Sequence, residues 1–446
     1  MQTIAQTQAR LAAGEVTSVA LTKAALDKAS APGGEGARVF IALRAEKALA
    51  AAAASDAARK AGLVRSPLEG IPVSVKDLFD IAGDVTRAGS LVLSDAAPAA
   101  KDAEAVARLQ RAGAVIIGRT NMTEFAFSGV GLNPHYGTPK NPFDRTSARI
   151  PGGSSSGAAI SVTDGMAIAA LGTDTGGSVR IPSALCGLVG FKPTARRVPT
   201  TGALPLSYAL DSIGPLAASV ACCAAMDAVL SGEPEALPPA VPDLAGLRFA
   251  IPTTVVLDGL DAAVASAFHR AVEVLSKAGA KITEITVPEF AALGGINAKG
   301  GLAAAEAWHW HRTLLESRGE RYDPRVKVRM MRGRDMSAAD YIDLLKARPE
   351  WIRSVEAHFA PFDAVLMPTV PTIAPRIEEL ADEGEYGRIN MLMLRNPSII
   401  NFLDGCALSV PCHSPGEAPV GLMIAGVGGR DRAILGIGEA ISRALA

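Results

Sequence analysis

The sequence predicts an α/β fold around a sheet that is at least partly parallel. Two stretches repeat one order of elements. In DAEAVARLQRAGAVIIGRTNM, Asp102 caps a helix, Val106 and Leu109 face the core, and Gly113 ends the helix before a strand at Val115–Ile117. DAAVASAFHRAVEVLSKAGAKITEITVP repeats that order between Asp261 and Pro288. A third stretch, GIPVSVKD (Gly70 to Asp77), reads as a short buried strand holding Val73 and Val75. Helices alternating with short apolar strands are the pattern of crossover-connected sheets.

The remaining elements follow in chain order. The first sixty residues read as helices. Thr17 or Ser18 caps one that carries Leu21, Ala25 and Leu26 on one face. The alanine-rich run Ala48–Ala58, interrupted by Ser55 and Asp56, reads as another. The proline-rich segment SGEPEALPPAVPDLAG, Ser231 to Gly246, fits either a domain boundary or a surface connection within one domain. From about Ala291 to Pro361 the pattern is helical, with Trp308 and Trp310 close together. No repeat of fixed period is present. At 446 residues the chain is long enough for two domains or one large one.

Composition removes several classes of function. Apolar residues make up 49% and charged residues 20%, which indicates a soluble globular protein. Lys plus Arg is 44 against Asp plus Glu 45, so charge gives no case for direct contact with nucleic acid or an anionic membrane. The cysteines (Cys186, Cys222, Cys223, Cys406 and Cys412) form no C-x-x-C pair and have no His at metal spacing. They read as buried, reduced thiols, which fits the cytoplasm, and no metal or cofactor is expected. The first residues, MQTIAQTQARLAAGEVTS, lack the apolar core of a signal peptide, and no span predicts a membrane helix.

The chemistry concentrates in two serine loops. GTDTGGSVRIP, Gly172 to Pro182, strips side-chain bulk at Gly176 and Gly177 just before Ser178. PGGSSSG, Pro151 to Gly157, precedes AAISVTDGMAIAALG, whose first part suits a helix and whose end suits a strand running into the Ser178 loop. Such a helix start and strand end lie at one edge of a sheet, the edge where open α/β sheets gather their sites. Lys76 sits at the tail of the GIPVSVKD strand, so Lys76, Ser154 and Ser178 can converge. No histidine lies near: the flanking ones are His135 and His269. A serine hydroxyl needs a base, and a buried lysine can be one because desolvation disfavours its charged form. Ser154 would relay the proton from Ser178 to Lys76, and the Gly176–Gly177 backbone would bind an oxyanion. Spacing alone leaves a plainer reading open: a tight Gly-Gly-Ser turn, a helix cap at the serines, and a Lys76–Asp77 surface pair.

Other motifs carry less. GSSSG, Gly153 to Gly157, fits the G-x-S-x-G elbow of an α/β-hydrolase esterase with Ser155 as nucleophile. The preceding TSARIPG is a poor strand for that elbow. The glycine loops lack the G-K-[ST] of a phosphate-binding loop. In WHWH, Trp308 to His311, the two histidines project from different faces of a helix and cannot ligate one ion together.

Gly152 to Thr194, GGSSSGAAISVTDGMAIAALGTDTGGSVRIPSALCGLVGFKPT, resembles the signature segment of the amidase signature family. The resemblance extends through GIPVSVKDLFD, VIIGRTNMTEFAF, YGTPKNPFD, LDSIGPLAASV, FDAVLMPTVPTIAP and PVGLMIAG, and so covers most of the chain. It implies a single α/β/α sandwich over residues 1–446 with a mixed, mostly parallel sheet. Within it lie N-terminal helices at 1–64, a catalytic core at 65–230, and the rest of the sheet and the pocket helices at 231–446. It implies an amidohydrolase with a Ser–cis-Ser–Lys triad of Ser178, Ser154 and Lys76, and an oxyanion hole from the N–H groups of Thr175, Gly176, Gly177 and Ser178. Beside these, Ser155 and Ser156 read as helix-capping or relay residues and Thr173 as framework. Asp174 and Arg180 read as an ion pair bracing the nucleophile loop, with a substrate contact as the alternative for Arg180. Cys186 reads as core.

The expected partner is a small-molecule amide, with a homodimer as a family-level expectation. The alternative role in the family is the glutaminase component of a tRNA-dependent amidotransferase, working with partner subunits. The acyl pocket is expected from the region Trp308 to Tyr341 and from Met391 to Phe402. Trp308, Tyr341 and Arg395 are the candidate substrate contacts. Arg395 would meet a substrate carboxylate or form an internal ion pair. The apolar residues and tryptophans point to an aryl or medium apolar acyl group.

Overall fold

A computed structural model describes residues 1–233 and 239–446. Residues 234–238, inside the proline-rich segment, lie outside the described residues. Eleven strands are described: β1 (Phe40–Leu43), β2 (Pro72–Lys76), β3 (Val115–Thr120), β4 (Ala169–Asp174), β5 (Val189–Lys192), β6 (Ser212–Ala217), β7 (Arg248–Pro252), β8 (Lys281–Ile285), β9 (Ala364–Pro368), β10 (Cys406–Pro411) and β11 (Gly421–Gly426). They form one sheet in the order β1-β3-β2-β4-β6-β5-β10-β11-β9-β7-β8.

Side chains alternate across a strand, and here both faces are buried. Val115 and Ile117 join one apolar cluster with Ala158 and Ile160, while Ile116 between them joins another with Val106 and Leu109. At the far end Phe249 and Ile251 lie in that second cluster and Ala250 in a third. Helices therefore cover both faces, and the fold is α/β as expected.

The sheet is mixed, but its parallel share is smaller than the resemblance implies. Four pairings are parallel: β2–β3, β2–β4, β7–β8 and β7–β9. The other six are antiparallel. The reason is local. The helices Glu104–Arg111 and Ala262–Lys277 cross over between β2 and β3 and between β7 and β8. The chain instead returns from β5 to β6 and from β10 to β11 without a crossover helix, which sets neighbours antiparallel.

Three local expectations change. Phe40–Leu43 is an edge strand on β3, not helix. Asp102 does not cap the helix Glu104–Arg111: its carboxylate accepts from Ala82 N–H at 2.8 Å, and the capping position falls on Ala103. Ser155 stands at the N-cap of the helix Ser156–Thr163 but makes no capping bond with its side chain. Thr17 does cap the helix Ser18–Ala29, accepting from Ala20 N–H. Among the described residues no helix is long and apolar enough to cross a membrane.

Candidate active site

Lys76 ends β2 and Asp174 ends β4. The two strands are parallel neighbours, so these C-terminal ends share one edge of the sheet. The loop following β4 carries Ser178 to the same edge. There Ser155 N–H donates to the Ser178 carbonyl at 3.3 Å and ties the two serine loops together. The Gly153–Ser154 peptide is cis.

Lys76 is fully buried. Its Nζ lies 2.8 Å from Ser154 Oγ and 2.8 Å from Thr173 Oγ1. Burial pushes its pKa down from 10.5 to about 7, against the opposing pull of the Asp211 and Asp174 charges. Near neutral pH a large fraction is the free amine, which can accept a proton from the Ser154 hydroxyl. The Ser154 and Ser178 hydroxyls make no hydrogen bond to each other; the link between the two residues is the main-chain bond above.

The resemblance implies four N–H groups facing an oxyanion, and one of them is committed elsewhere. Gly177 N–H donates to Asp174 Oδ1 at 2.8 Å. Thr175, Gly176 and Ser178 keep N–H groups with no acceptor among the described residues. Gly177 has φ +123°, and a Cβ there would lie 2.6 Å from Pro397 Cβ, so the turn needs glycine.

Asp174 and Arg180 are both fully buried and joined twice: Arg180 Nη2 to Asp174 Oδ1 at 2.9 Å and Nε to Oδ2 at 3.0 Å. Asn401 closes the pair, donating to Asp174 Oδ1 at 2.9 Å and accepting from Arg180 at 2.6 Å. Burial pushes the Asp174 carboxyl up, but Arg180 outweighs it and holds the group well below the usual carboxylate range. The carboxylate also accepts from Val179 and Arg180 N–H. Ser155 Oγ reaches only the Thr173 carbonyl, at 3.4 Å. Ser156 Oγ is buried without a partner among the described residues. Cys186 is buried, and burial pushes its thiol up.

Ser178 and Gly176 line a cavity of about 460 Å³. The helices Glu289–Ile296 and Glu383–Phe402 form much of its wall. Of the expected substrate contacts, Arg395 is in the lining and Trp308 and Tyr341 are not. Trp308 packs against the main core, and Tyr341 donates its hydroxyl to Glu306 at 2.9 Å. Arg395 forms no internal ion pair: it donates to the Asp258 carbonyl at 2.7 Å, the Val256 carbonyl at 3.2 Å and Asn396 Oδ1 at 2.9 Å.

Arg329 and Arg332, which sequence reasoning does not single out, also line the cavity. Arg329 lies over the rings of Tyr386 and Phe127 and donates to Tyr386 Oη at 3.0 Å. Arg332 donates to the Ala298 carbonyl at 2.7 Å. Among the described residues none of the three arginines pairs with a carboxylate, and no acidic side chain is in the lining. The wall is otherwise mostly apolar, and no tryptophan is in it. Both lie within the Trp308–Tyr341 region expected to build the pocket, but no sequence signal marks these two side chains within it.

A family model described as Amidase matches residues 20–435. The chain belongs to the amidase signature family. It is 38% identical over 395 residues to 2-amino-5-chloromuconic acid deaminase of Comamonas testosteroni, covering 88% of this chain and 85% of that one. It is 34% identical over 475 residues to a glutamyl-tRNA(Gln) amidotransferase subunit of Chloroflexus aurantiacus, covering 99% and 96%. Among solved structures, an amidase superposes with TM-score 0.89 at 32% identity over the whole of both chains. The peptide amidase of Stenotrophomonas maltophilia gives 0.82 at 27% identity over 99% and 96%. This amidase is an amidohydrolase, a hydrolase acting on C–N bonds. Among its described residues no group of three or more His, Cys, Asp or Glu side chains is arranged to hold a metal ion.

Proposed function

We propose that this amidase hydrolyses the amide of an acid carrying a second, anionic group, through an acyl-enzyme on Ser178. One observation carries the substrate class: the cavity beside Ser178 is lined by three arginines without ion-pair partners and by no acid among the described residues. Guanidinium groups set in an apolar wall favour an anionic ligand, and a charge-assisted contact is worth about 2 kcal/mol. The Comamonas relative is, by its name, a deaminase of an acid, which is consistent with this class.

In the proposed cycle Ser178 Oγ bonds to the amide carbon. Its proton passes to Ser154, whose own proton passes to Lys76. The relay contact between the two hydroxyls closes when substrate is in place, as catalytic contacts commonly do. The N–H groups of Thr175, Gly176 and Ser178 hold the oxyanion. The C–N bond then breaks, and Lys76 returns the proton through Ser154 to the departing nitrogen. Water attacks the ester by the same relay in reverse roles, releasing the acid and regenerating Ser178.

The competing reading is the glutaminase component of an amidotransferase, favoured by the 34% identity to the Chloroflexus protein over nearly the whole chain. Glutamine brings an α-ammonium as well as a carboxylate, and the cavity offers that cation no acidic partner among the described residues. The test is ammonia release by the purified chain alone from succinamate, glutaramate, butyramide, benzamide and glutamine. The anionic monoamides should exceed butyramide in kcat/KM by at least about tenfold. Replacing Arg329 with Met should raise KM for glutaramate by about tenfold or more and leave butyramide little changed. Preference for the neutral amides, or activity on glutamine alone, would refute the assignment.

A further inference from the structure

A second cavity, about 220 Å³, adjoins the first and shares Ala126, Thr175 and Leu206 with it. Its charge is opposite. Among the described residues Asp211 is the one charged side chain in its lining, and Thr173, Thr200, Tyr208 and Trp310 stand around it. Asp211 Oδ1 accepts from Thr175 Oγ1 at 2.5 Å, and Oδ2 accepts from Leu206 N–H at 3.0 Å and Ser207 N–H at 3.2 Å. It makes no ion pair among the described residues. Burial pushes the Asp211 carboxyl up to about 6, and the nearby Glu306 charge adds to the rise. The cavity also reaches the base: Thr173 Oγ1, in its wall, is the group 2.8 Å from Lys76 Nζ.

We infer that this small cavity is the site of the leaving amine, with Asp211 as its recognition group. The inference rests on the acyl-enzyme reading above. A tetrahedral centre on Ser178 has three other directions to fill. The acyl chain takes the arginine-lined cavity, and the oxyanion takes the free N–H groups. The nitrogen is left on the side of Thr175 and Thr173, where the small cavity opens. When the C–N bond breaks, the nitrogen takes the proton that Lys76 returns through Ser154, leaving as ammonia or a primary amine. A further proton, taken from solvent at neutral pH, makes it a cation. Before and during cleavage the amide N–H donates to the Asp211 carboxylate, and the cation formed afterwards meets the same carboxylate beside Tyr208 and Trp310, a setting that attracts ammonium groups. Positive charge on the acyl side and negative charge on the amine side thus match the two ionic products of the hydrolysis. The volume limits the amine to ammonia or a small alkylamine.

The test uses one acyl group with two leaving groups, glutaramate against mono-4-nitrophenyl glutarate. The nitrophenolate leaves as an anion and gains nothing from Asp211. Asp211→Asn should lower kcat/KM for the amide about tenfold more than for the ester. It should equally lower the share of acyl-enzyme that added methylamine captures as N-methylglutaramate rather than losing to water. Equal losses on amide and ester would overturn the inference and make Asp211 a mere support for Thr175, whose N–H serves both substrates. A methylamine capture ratio equal to wild type would overturn it as well. Should Asp211→Asn not fold, Ala203→Leu fills the same cavity from its wall. That variant should reject N-ethylglutaramate while still releasing ammonia from glutaramate, and equal acceptance of both would refute the site. Failure of the anionic-acyl reading shows separately, as wild-type preference for butyramide; the amide-to-ester ratio is then read with butyramide and 4-nitrophenyl butyrate.

Discussion

Replacing Lys76 with Met tests the electrostatic heart of the candidate site, because activity should be lost while the change in stability should depend on pH. Activity should fall by at least about a thousandfold, since the proposed base is gone and the proposed triad would act as a unit. Stability carries the sharper number. The lysine pKa falls from 10.5 to about 7 on folding, so the unfolded chain binds the proton more tightly than the folded one. Between those values the unfolded state holds more protons, and wild-type stability rises with pH. The burial cost of the charge is about 4 kcal/mol at pH 7 and shrinks to about 1 kcal/mol at pH 9.5. Methionine carries no such cost, but it strips the Ser154 and Thr173 hydroxyls of their partner, at about 1–2 kcal/mol each. The variant should therefore match or slightly exceed wild type at pH 7 and fall below it at pH 9.5. The relative change over that interval is about 3 kcal/mol. Denaturant midpoints of both proteins at the two pH values measure it. A stability difference that does not vary with pH would show that Lys76 keeps its proton in the folded chain, and the proposed base would be lost. The wild-type kcat/KM gives a companion reading: it should rise with pH and reach half its plateau near pH 7, since the amine must be neutral to act.

Ser178→Ala should abolish turnover, by at least about a thousandfold, while leaving the denaturation midpoint within about 1 kcal/mol of wild type; retained activity would remove Ser178 as nucleophile. Asp174→Asn should destabilise by about 3–5 kcal/mol, because it leaves the Arg180 charge buried and half-paired, and denaturation curves will show whether it does. A chelator should not change the rate of ammonia release, since the proposed relay of Ser178, Ser154 and Lys76 uses no metal; inhibition reversed by zinc would contradict that.

Lys76, Ser154 and Ser178 stand out in the sequence as candidates, at a strand end, near a helix start and after a Gly-Gly turn, but spacing alone leaves them ordinary and only the resemblance to the amidase signature segment implies a joint role. The partners that complete the site are not readable there. Thr173 shares the Lys76 amine because it lies one residue before the end of β4, and the pairing of β2 with β4 exists only in the folded sheet. Arg329 reaches the cavity from a helix about 150 positions beyond Ser178, and nothing in RVKVRMMRG distinguishes it from a solvated basic face. Arg395 is visible as a candidate, but its engagement with the Val256 and Asp258 carbonyls depends on a distant loop. The strand Phe40–Leu43 is hidden by its length: four residues between two helices give no alternation to count. The parallel share of the sheet is overestimated because the helix–strand repeats lie toward its two ends, while its centre is built by chain reversals.

The Asp174 carboxylate explains why the nucleophile loop surrenders one donor. It gathers the N–H groups of Gly177, Val179 and Arg180 and is itself pinned by the Arg180 guanidinium and Asn401. Those bonds curl residues 174–180 around one fixed charge. The Thr175, Gly176 and Ser178 amides make no bond to Asp174 and keep no acceptor among the described residues. Preorganised donors stabilise a developing oxyanion because they need not reorient during the reaction, so a rigid set of three serves better than a mobile set of four. The same fixed negative charge lies near enough to Lys76 to oppose the fall in its pKa, and burial nevertheless brings it to about 7. A deeper drop would leave the amine too weak a base to draw a proton from serine, and a smaller one would leave it charged at neutral pH. In the proposed mechanism Asp174 would therefore shape the anion-binding face of the loop and tune the Lys76 base, without touching the reacting atoms.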